Sequence, residues 1–109
     1  MSGFKKIANI ETGTVTGQLA YWDTDEWKHV ESSEIFWDDT NKRLGIGTSA
    51  PNANALLDIT STTKAFMPPR MTSTQKGNIA SPTAGMVIYD ATLAKLCVYT
   101  TAWETVTSA

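Results

Sequence analysis

The segment Phe36–Thr48, which reads FWDDTNKRLGIGT, constrains the fold of this chain more than any other. Bulky residues end one strand, and the polar run 38–42 favours a turn because Asp and Asn side chains bond their own backbone. Leu44 and Ile46 then alternate with glycines, which predicts a return strand that another backbone approaches closely. Such a strand makes a poor isolated core and favours a seam between chains.

The composition favours an ordered chain with a small core. Leu, Ile, Val and Phe number 6, 7, 5 and 3, or 21 of 109 residues, which is about 19% and close to the range of disordered chains. A net charge of only −2, with four Trp and three Tyr, argues for order. Threonine, with 17 copies, suits a pleated, half-buried surface. We therefore expect a mainly all-β chain that is stabilised by forming oligomers.

Charge and hydropathy exclude several classes of partner. The sequence pI is about 5.2 and the basic residues are scattered, which argues against nucleic-acid binding. No apolar run is long enough for a membrane span or a signal peptide. Cys97 is the single cysteine, so the chain has no internal disulfide, and its apolar neighbours predict a buried or interface thiol.

The sequence offers little for catalysis or metal binding, and we expect no catalytic, cofactor-binding or metal-binding residues. His29 is the only histidine, and we interpret it as a solvent-facing strand residue. The acidic clusters 23–26 and 38–39 lack calcium-loop spacing and are interpreted as turn acids rather than as a glycosidase pair. The glycines of 45–48 do not continue into a phosphate-binding motif.

The N-terminal residues 1–16 are polar and lack strand or helix periodicity. They nevertheless carry four apolar side chains that are costly to leave in water, which predicts an arm that docks on a neighbouring protein. These candidate docking residues are Phe4, Ile7, Ile10 and Val15.

Local patterns place short strands along the rest of the chain. Thr72 and Gln75 form a capping-box pattern, which predicts a short helix near 73–80 that Pro82 ends. The double proline before Arg70 predicts extended backbone. Predicted strands are 17–22, with a turn at 23–26 and a return at 27–30, then 56–60, 85–89, 95–99 and 103–106.

Two segments repeat weakly. The segment 37–46 matches 89–98, with one extra residue before the lysine of the second copy. The segment 27–30 likewise matches 103–106. The copies are too short and irregular for a solenoid, and we interpret them as reused hairpins.

The region from about Asn41 to Val106 resembles trimeric bacteriophage tail fibres and related virion fibre and surface proteins. The resemblance rests on the LGIGT stretch, on FMPPRM followed by T-x-x-Q, and on the closing order Y-D-x-T, L-x-V-Y and W. In such proteins the segments typically intertwine as trimers. The resemblance therefore implies a homotrimer.

Together these patterns predict an all-β, intertwined homotrimer with an extended N-terminal arm and a small C-terminal knob that contains the short helix. We expect residues 1–50 to dock and trimerise, and residues 51–109 to form the knob. The candidate trimer-interface residues are Phe36, Trp37, Leu44, Ile46, Leu57 and Ile59.

The resulting functional expectation is a phage capsid decoration (cement) or head-fibre protein. It would bind the major capsid protein on the outer surface of the virion, after assembly in the host cytoplasm, and would not be an enzyme. If the chain is complete, 109 residues are too few for a long fibre shaft.

The alternative is a tail-fibre-like protein that recognises a host surface glycan. Exposed aromatic rings stack on sugars, but aromatic residues also dominate ordinary protein interfaces. For Arg70, an ion pair across an interface and a solvated charge both remain open. The candidate stacking residues are Tyr21, Trp22, Trp27 and Trp103.

Overall fold

The structure, a computed structural model, describes residues 17–107. This part of the chain is mainly β with one short helix, which confirms the predicted fold class. Its elements are β1 (Ala20–Asp23), β2 (Glu26–His29), β3 (Ile35–Asp38), β4 (Arg43–Ile46), β5 (Leu57–Ile59), β6 (Arg70–Met71), α1 (Ser73–Gly77), β7 (Val87–Asp90), β8 (Lys95–Tyr99) and β9 (Trp103–Thr105).

The chain divides into two compact units, residues 1–64 and 65–109. The first unit contains a two-stranded sheet, β1-β2, and a three-stranded sheet in the order β3-β4-β5. The second unit contains a four-stranded sheet in the order β6-β7-β8-β9. The division falls later in the chain than residue 50, because β5 pairs in parallel with β4 and so belongs with the earlier strands.

Strands β1 and β2 form the predicted hairpin, with Trp22 directly opposite Trp27. Its turn is shorter than predicted, because Asp23 and Glu26 pair with each other as strand ends. Thr24 lies in the turn and has a left-handed φ of 56°, as short hairpin turns require.

His29 differs from its prediction as a solvent-facing residue. Its side chain is only 14% exposed, and Nε2 lies 3.8 Å from Glu31 Oε1. In the hairpin register His29 pairs with Ala20, on the same face as Trp22 and Trp27. The prediction was wrong because the residues beside His29 in the sequence do not reveal which face of the hairpin it occupies.

The glycines of the LGIGT stretch lie where another backbone approaches, as the sequence predicted. A Cβ atom on Gly45 would contact Thr48 O and lie 3.0 Å from Pro51 Cγ. Gly47 has a φ of 78°, and a Cβ atom there would contact Thr60 O. The approaching backbones belong to the same chain, so these glycines close the three-stranded sheet locally.

Gly45→Ala and Gly47→Ala should each lower the free energy of unfolding by about 1–3 kcal/mol, because a methyl group has no room at either position. Gly77→Ala is the matched control, since a Cβ atom on this helical glycine meets nothing within 4 Å. It should leave stability unchanged or raise it by up to about 1 kcal/mol. Thermal unfolding at equal protein concentration measures all three. A Gly45→Ala variant as stable as Gly77→Ala would contradict the assigned contacts.

Helix α1 begins at the predicted capping box. Gln75 N donates to Thr72 Oγ1 at 3.2 Å, and Thr72 N donates to Gln75 Oε1 at 2.9 Å. The helix ends at Gly77, earlier than predicted, and the chain continues in turns in which Asn78 N donates to Gln75 O. Glycine is a weak helix former, which explains the early end better than the more distant Pro82.

The repeated segments are two hairpins of the same design. Asp38 pairs with Arg43 across the β3-β4 turn, and Asp90 pairs with Lys95 across the β7-β8 turn, so both loops have the same length. The extra residue inferred from the sequence was therefore an error of alignment, since Lys95 corresponds to Arg43. In each hairpin the leading aspartate accepts hydrogen bonds from backbone N–H groups of the turn.

The interior of the second unit centres on a buried carboxylate. Asp90 has no exposed surface, and Ser73 Oγ donates to both of its oxygens at 2.9 and 2.8 Å. Lys76 Nζ lies 2.8 Å from Asp90 Oδ2, and its hydrogen bond holds the pKa of that carboxyl at about 2, below its ordinary value of 3.8. The same Nζ lies 3.9 Å from Cys97 Sγ, and this thiol is buried as predicted. The carboxylate thus joins α1 to the sheet.

Asp90→Asn should lower the melting temperature at pH 7 by about 10 °C or more, because it leaves the Lys76 charge without its partner. Because folding lowers the pKa of Asp90, its stabilisation is present above pH 3.8 and is lost as the pH falls through about 2. The variant should therefore lose less stability between pH 4 and 2 than the original chain. Asp39→Asn, at an exposed ion pair, is the control and should change little. Parallel pH profiles for the Asp90→Asn variant and the original chain would contradict this role.

Candidate oligomerisation surface

The three-stranded sheet has one face made only of apolar side chains. Strand pairing places these residues in two rows on the same side of the sheet. Four of them remain between 37% and 50% exposed. We call this surface the apolar face, and it consists of Ile35, Ile46 and Ile59 in one row and Trp37, Leu44 and Leu57 in the other.

The opposite face of this sheet is covered by the chain itself. Gly45 and Pro51 are buried there, where the loop after β4 crosses the sheet. Asn52 N donates to Asp58 Oδ2 at 2.9 Å, which fixes this loop to β5. The chain therefore covers one side of the sheet and leaves the apolar side open.

A contiguous exposed apolar surface of this kind is typical of an interaction site. The sheet gives it fixed geometry, since each apolar side chain lies directly opposite another across the strands. The surface can bury aliphatic and aromatic groups of a partner, and it carries no charge with which to attract a polar ligand.

Five of the six predicted trimer-interface residues lie on the apolar face, and Phe36 lies on the opposite side. A Cβ atom on Gly17 would come within 2.7 Å of the Phe36 ring, so this ring packs on its own chain. Ile35 was missed by the sequence reasoning. The period-two alternation of Ile35 and Trp37 carried the signal, because alternate residues of a strand share a face.

The turn acids are held by neighbouring cations. Arg43 Nη2 lies 2.6 Å from Asp38 Oδ2, and this hydrogen bond is the largest cause that lowers the pKa of Asp38 to about 2. Lys42 similarly lowers the pKa of Asp39. Among residues 17–107, no three His, Cys, Asp or Glu side chains are placed to hold a metal ion together.

The candidate stacking aromatics differ in their surroundings. Trp22 and Trp27 form an edge-to-face pair with ring centroids 5.7 Å apart, and both remain exposed. Tyr21 lies on the other face of the same hairpin, opposite Lys28. Trp103 packs against Tyr99 with ring centroids 5.3 Å apart. Tyr21, Trp22 and Trp27 are therefore the exposed candidates, and Trp22 and Trp27 are the two that lie together on one face.

The candidate capsid-interface residues Phe4, Ile7, Ile10 and Val15 lie outside the described residues. Within the described part of the chain, no helix has the length and apolar character needed to cross a membrane.

Comparison with known protein families matches residues 45–109 to the family described as "Phage tail like trimerisation region". The match begins at the first glycine of the LGIGT stretch and includes β5 and the whole second unit. Comparisons with curated proteins and with solved structures gave no match.

Proposed function

Because the chain belongs to the family of phage tail-like trimerisation regions, we propose that it is a homotrimeric structural protein that decorates the phage capsid. It binds the shell of major capsid protein as a cement or head-fibre protein and stabilises it from the outer surface of the virion. It is not an enzyme and needs no cofactor.

The observation that carries this proposal is the open apolar face. Three of its six residues, Ile46, Leu57 and Ile59, lie inside the region that matches the trimerisation family. Copies of the chain would meet here, with the faces of three copies turned toward a common axis. One copy has only 21 Leu, Ile, Val and Phe residues among 109, which is too few for a large core of its own. Burying the apolar face between copies supplies the missing apolar interior.

The proposed action is mechanical. Three N-terminal arms lie across neighbouring capsid subunits and bury Phe4, Ile7, Ile10 and Val15 there. The trimer links the arms, so rebinding of a released arm is intramolecular and dissociation requires several contacts to fail together. The second unit, residues 65–109, forms the knob that projects from the shell.

The ion pairs of the acidic side chains support a structural rather than an enzymatic role. Asp38 and Asp39 are each paired with a cation of the same turn, and Asp90 is buried. The lowered pKa values of these three carboxyls keep them ionised near neutral pH, so none of them is suited to act as a general acid.

The copy number in purified virions tests the capsid position. A decoration protein is present in dozens to hundreds of copies per particle, which quantitative mass spectrometry measures against the major capsid protein. A handful of copies would contradict decoration and favour a position on the tail.

The second candidate is a tail-fibre-like receptor-binding protein, which the family description and the exposed Trp22–Trp27 pair favour. An array of host-type surface glycans probed with the trimer tests it. Binding should then disappear in Trp22→Ala and Trp27→Ala and persist in the control Tyr21→Ala, on the opposite face of the hairpin. Binding that does not depend on either tryptophan would contradict this assignment.

A further inference from the structure

The four-stranded sheet of the second unit has an uncovered face of mixed character. Helix α1 lies on the other side, where Lys76 reaches Asp90. Strand pairing assigns the uncovered side, which we call the outer face. Val106 continues this face beyond β9, because it lies two residues after Glu104 and its N–H still donates to Leu96 O at 2.7 Å. The outer face comprises Arg70, Val87, Tyr89, Leu96, Val98, Glu104 and Val106.

The outer face is apolar at its centre and carries opposite charges at its two edges. Arg70 lies on the edge strand β6 and Glu104 on the edge strand β9. Four strands place these edges roughly 14 Å apart, too far for the two side chains of one copy to pair. Among residues 17–107, Arg70 makes no ion pair, and Glu104 accepts one hydrogen bond, from Thr100 Oγ1 at 3.0 Å.

We propose that Arg70 of each copy pairs with Glu104 of the next copy around the trimer. A contact between two different edges is heterologous, and a rotation of 120° between neighbouring copies closes it into a ring of three. The uncovered centres of the three outer faces then turn toward the common axis. Arginine suits this position because its planar guanidinium binds a carboxylate through two parallel hydrogen bonds. This inference rests on the proposed homotrimer.

The same two edges also match in shape and polarity. Beside Arg70 lies a cleft of about 350 Å³, whose lining includes Phe66, Met67, Pro68 and Tyr89. The β9 edge carries Val106, an exposed side chain on the same face as Glu104. A neighbouring β9 edge therefore brings a carboxylate for Arg70 and an apolar group for the cleft.

Side chains must make most of this contact. The two prolines before Arg70 have no N–H groups to donate, so the β6 edge cannot extend its ladder in that direction. Strand addition by a neighbour is therefore disfavoured at this edge. A side-chain contact of opposite charges fixes the register of the ring and discriminates against other pairings.

Charge reversal tests the contact. Arg70→Glu and Glu104→Arg should each raise the dissociation constant of the trimer by at least about tenfold, because like charges then meet at every interface. The double variant R70E/E104R should restore assembly, which also excludes misfolding as the cause of the single effects. Lys64→Glu reverses an exposed charge outside the sheet and should change nothing. Sedimentation equilibrium measures all four.

Cysteine pairing tests which edges meet. In the full chain, the double variant R70C/E104C should form a covalent trimer under mild oxidation, whereas R70C alone and E104C alone should not cross-link. Cross-linking of R70C alone would show that like edges meet, and would overturn the heterologous contact. A trimer that neither depends on these charges nor cross-links also overturns it, yet leaves the proposed function intact. A chain that is monomeric without any substitution instead contradicts the proposed function.

Discussion

Leu57→Asp should convert the trimer into monomers at micromolar concentration. Leu57 is half-exposed on the apolar face, and we propose that three copies of this face bury one another. Burying the exposed half of this leucine contributes about 0.7–1.5 kcal/mol per copy, and an unpaired carboxylate in its place adds a desolvation cost of several kcal/mol. Since each copy contributes one such site, the dissociation constant should rise by on the order of a thousandfold or more.

Leu56→Asp provides the matched control for this prediction. Leu56 is the neighbouring leucine and is 78% exposed, against 50% for Leu57. It precedes β5 and, by the alternation of a strand, points away from the apolar face. Sedimentation velocity should show monomers for Leu57→Asp and trimers for Leu56→Asp. If the two variants have the same oligomeric state, the apolar face is not the trimer contact.

Deletion of residues 2–16 should abolish binding to expanded capsid shells and leave the trimer intact. The deleted segment carries the four apolar side chains that we assign to the shell contact, Phe4, Ile7, Ile10 and Val15. Because three linked arms bind with avidity, their loss should weaken binding by about a hundredfold or more. Co-sedimentation of the trimer with shells measures the bound fraction.

A length-matched pair of variants separates apolar docking from charge. Replacing Phe4, Ile7, Ile10 and Val15 together with serine should reproduce the deletion. Replacing Lys5 and Lys6 with serine should retain shell binding, because the apolar side chains remain. Retention of binding in the first variant, or its loss only in the second, would show that the arm does not dock through apolar contacts.

Local chemistry made several elements predictable from the sequence. Thr72 and Gln75 satisfy each other's backbone groups within four residues, so the helix start followed from neighbours alone. The glycines of the LGIGT stretch marked a close backbone approach for the same reason, since only a missing side chain permits it. The two hairpins with leading aspartates were also visible, because turn chemistry is local.

Features that depend on distant parts of the chain were not predictable. Phe36 and Ile35 are adjacent and both apolar, and only the register against β4 shows that Ile35 lies on the apolar face and Phe36 does not. Asp90 reads as an ordinary turn residue, yet its burial depends on α1, which lies earlier in the chain. The placement of Arg70 and Glu104 at opposite edges of one sheet likewise follows from the order of its four strands.

Sedimentation equilibrium combined with thermal unfolding of the unsubstituted chain tests the central claim most directly. The account predicts a particle of three 11.9 kDa chains at micromolar concentration, with an unfolding midpoint that rises with protein concentration. A single copy that remains folded and melts cooperatively at a concentration-independent temperature would contradict it.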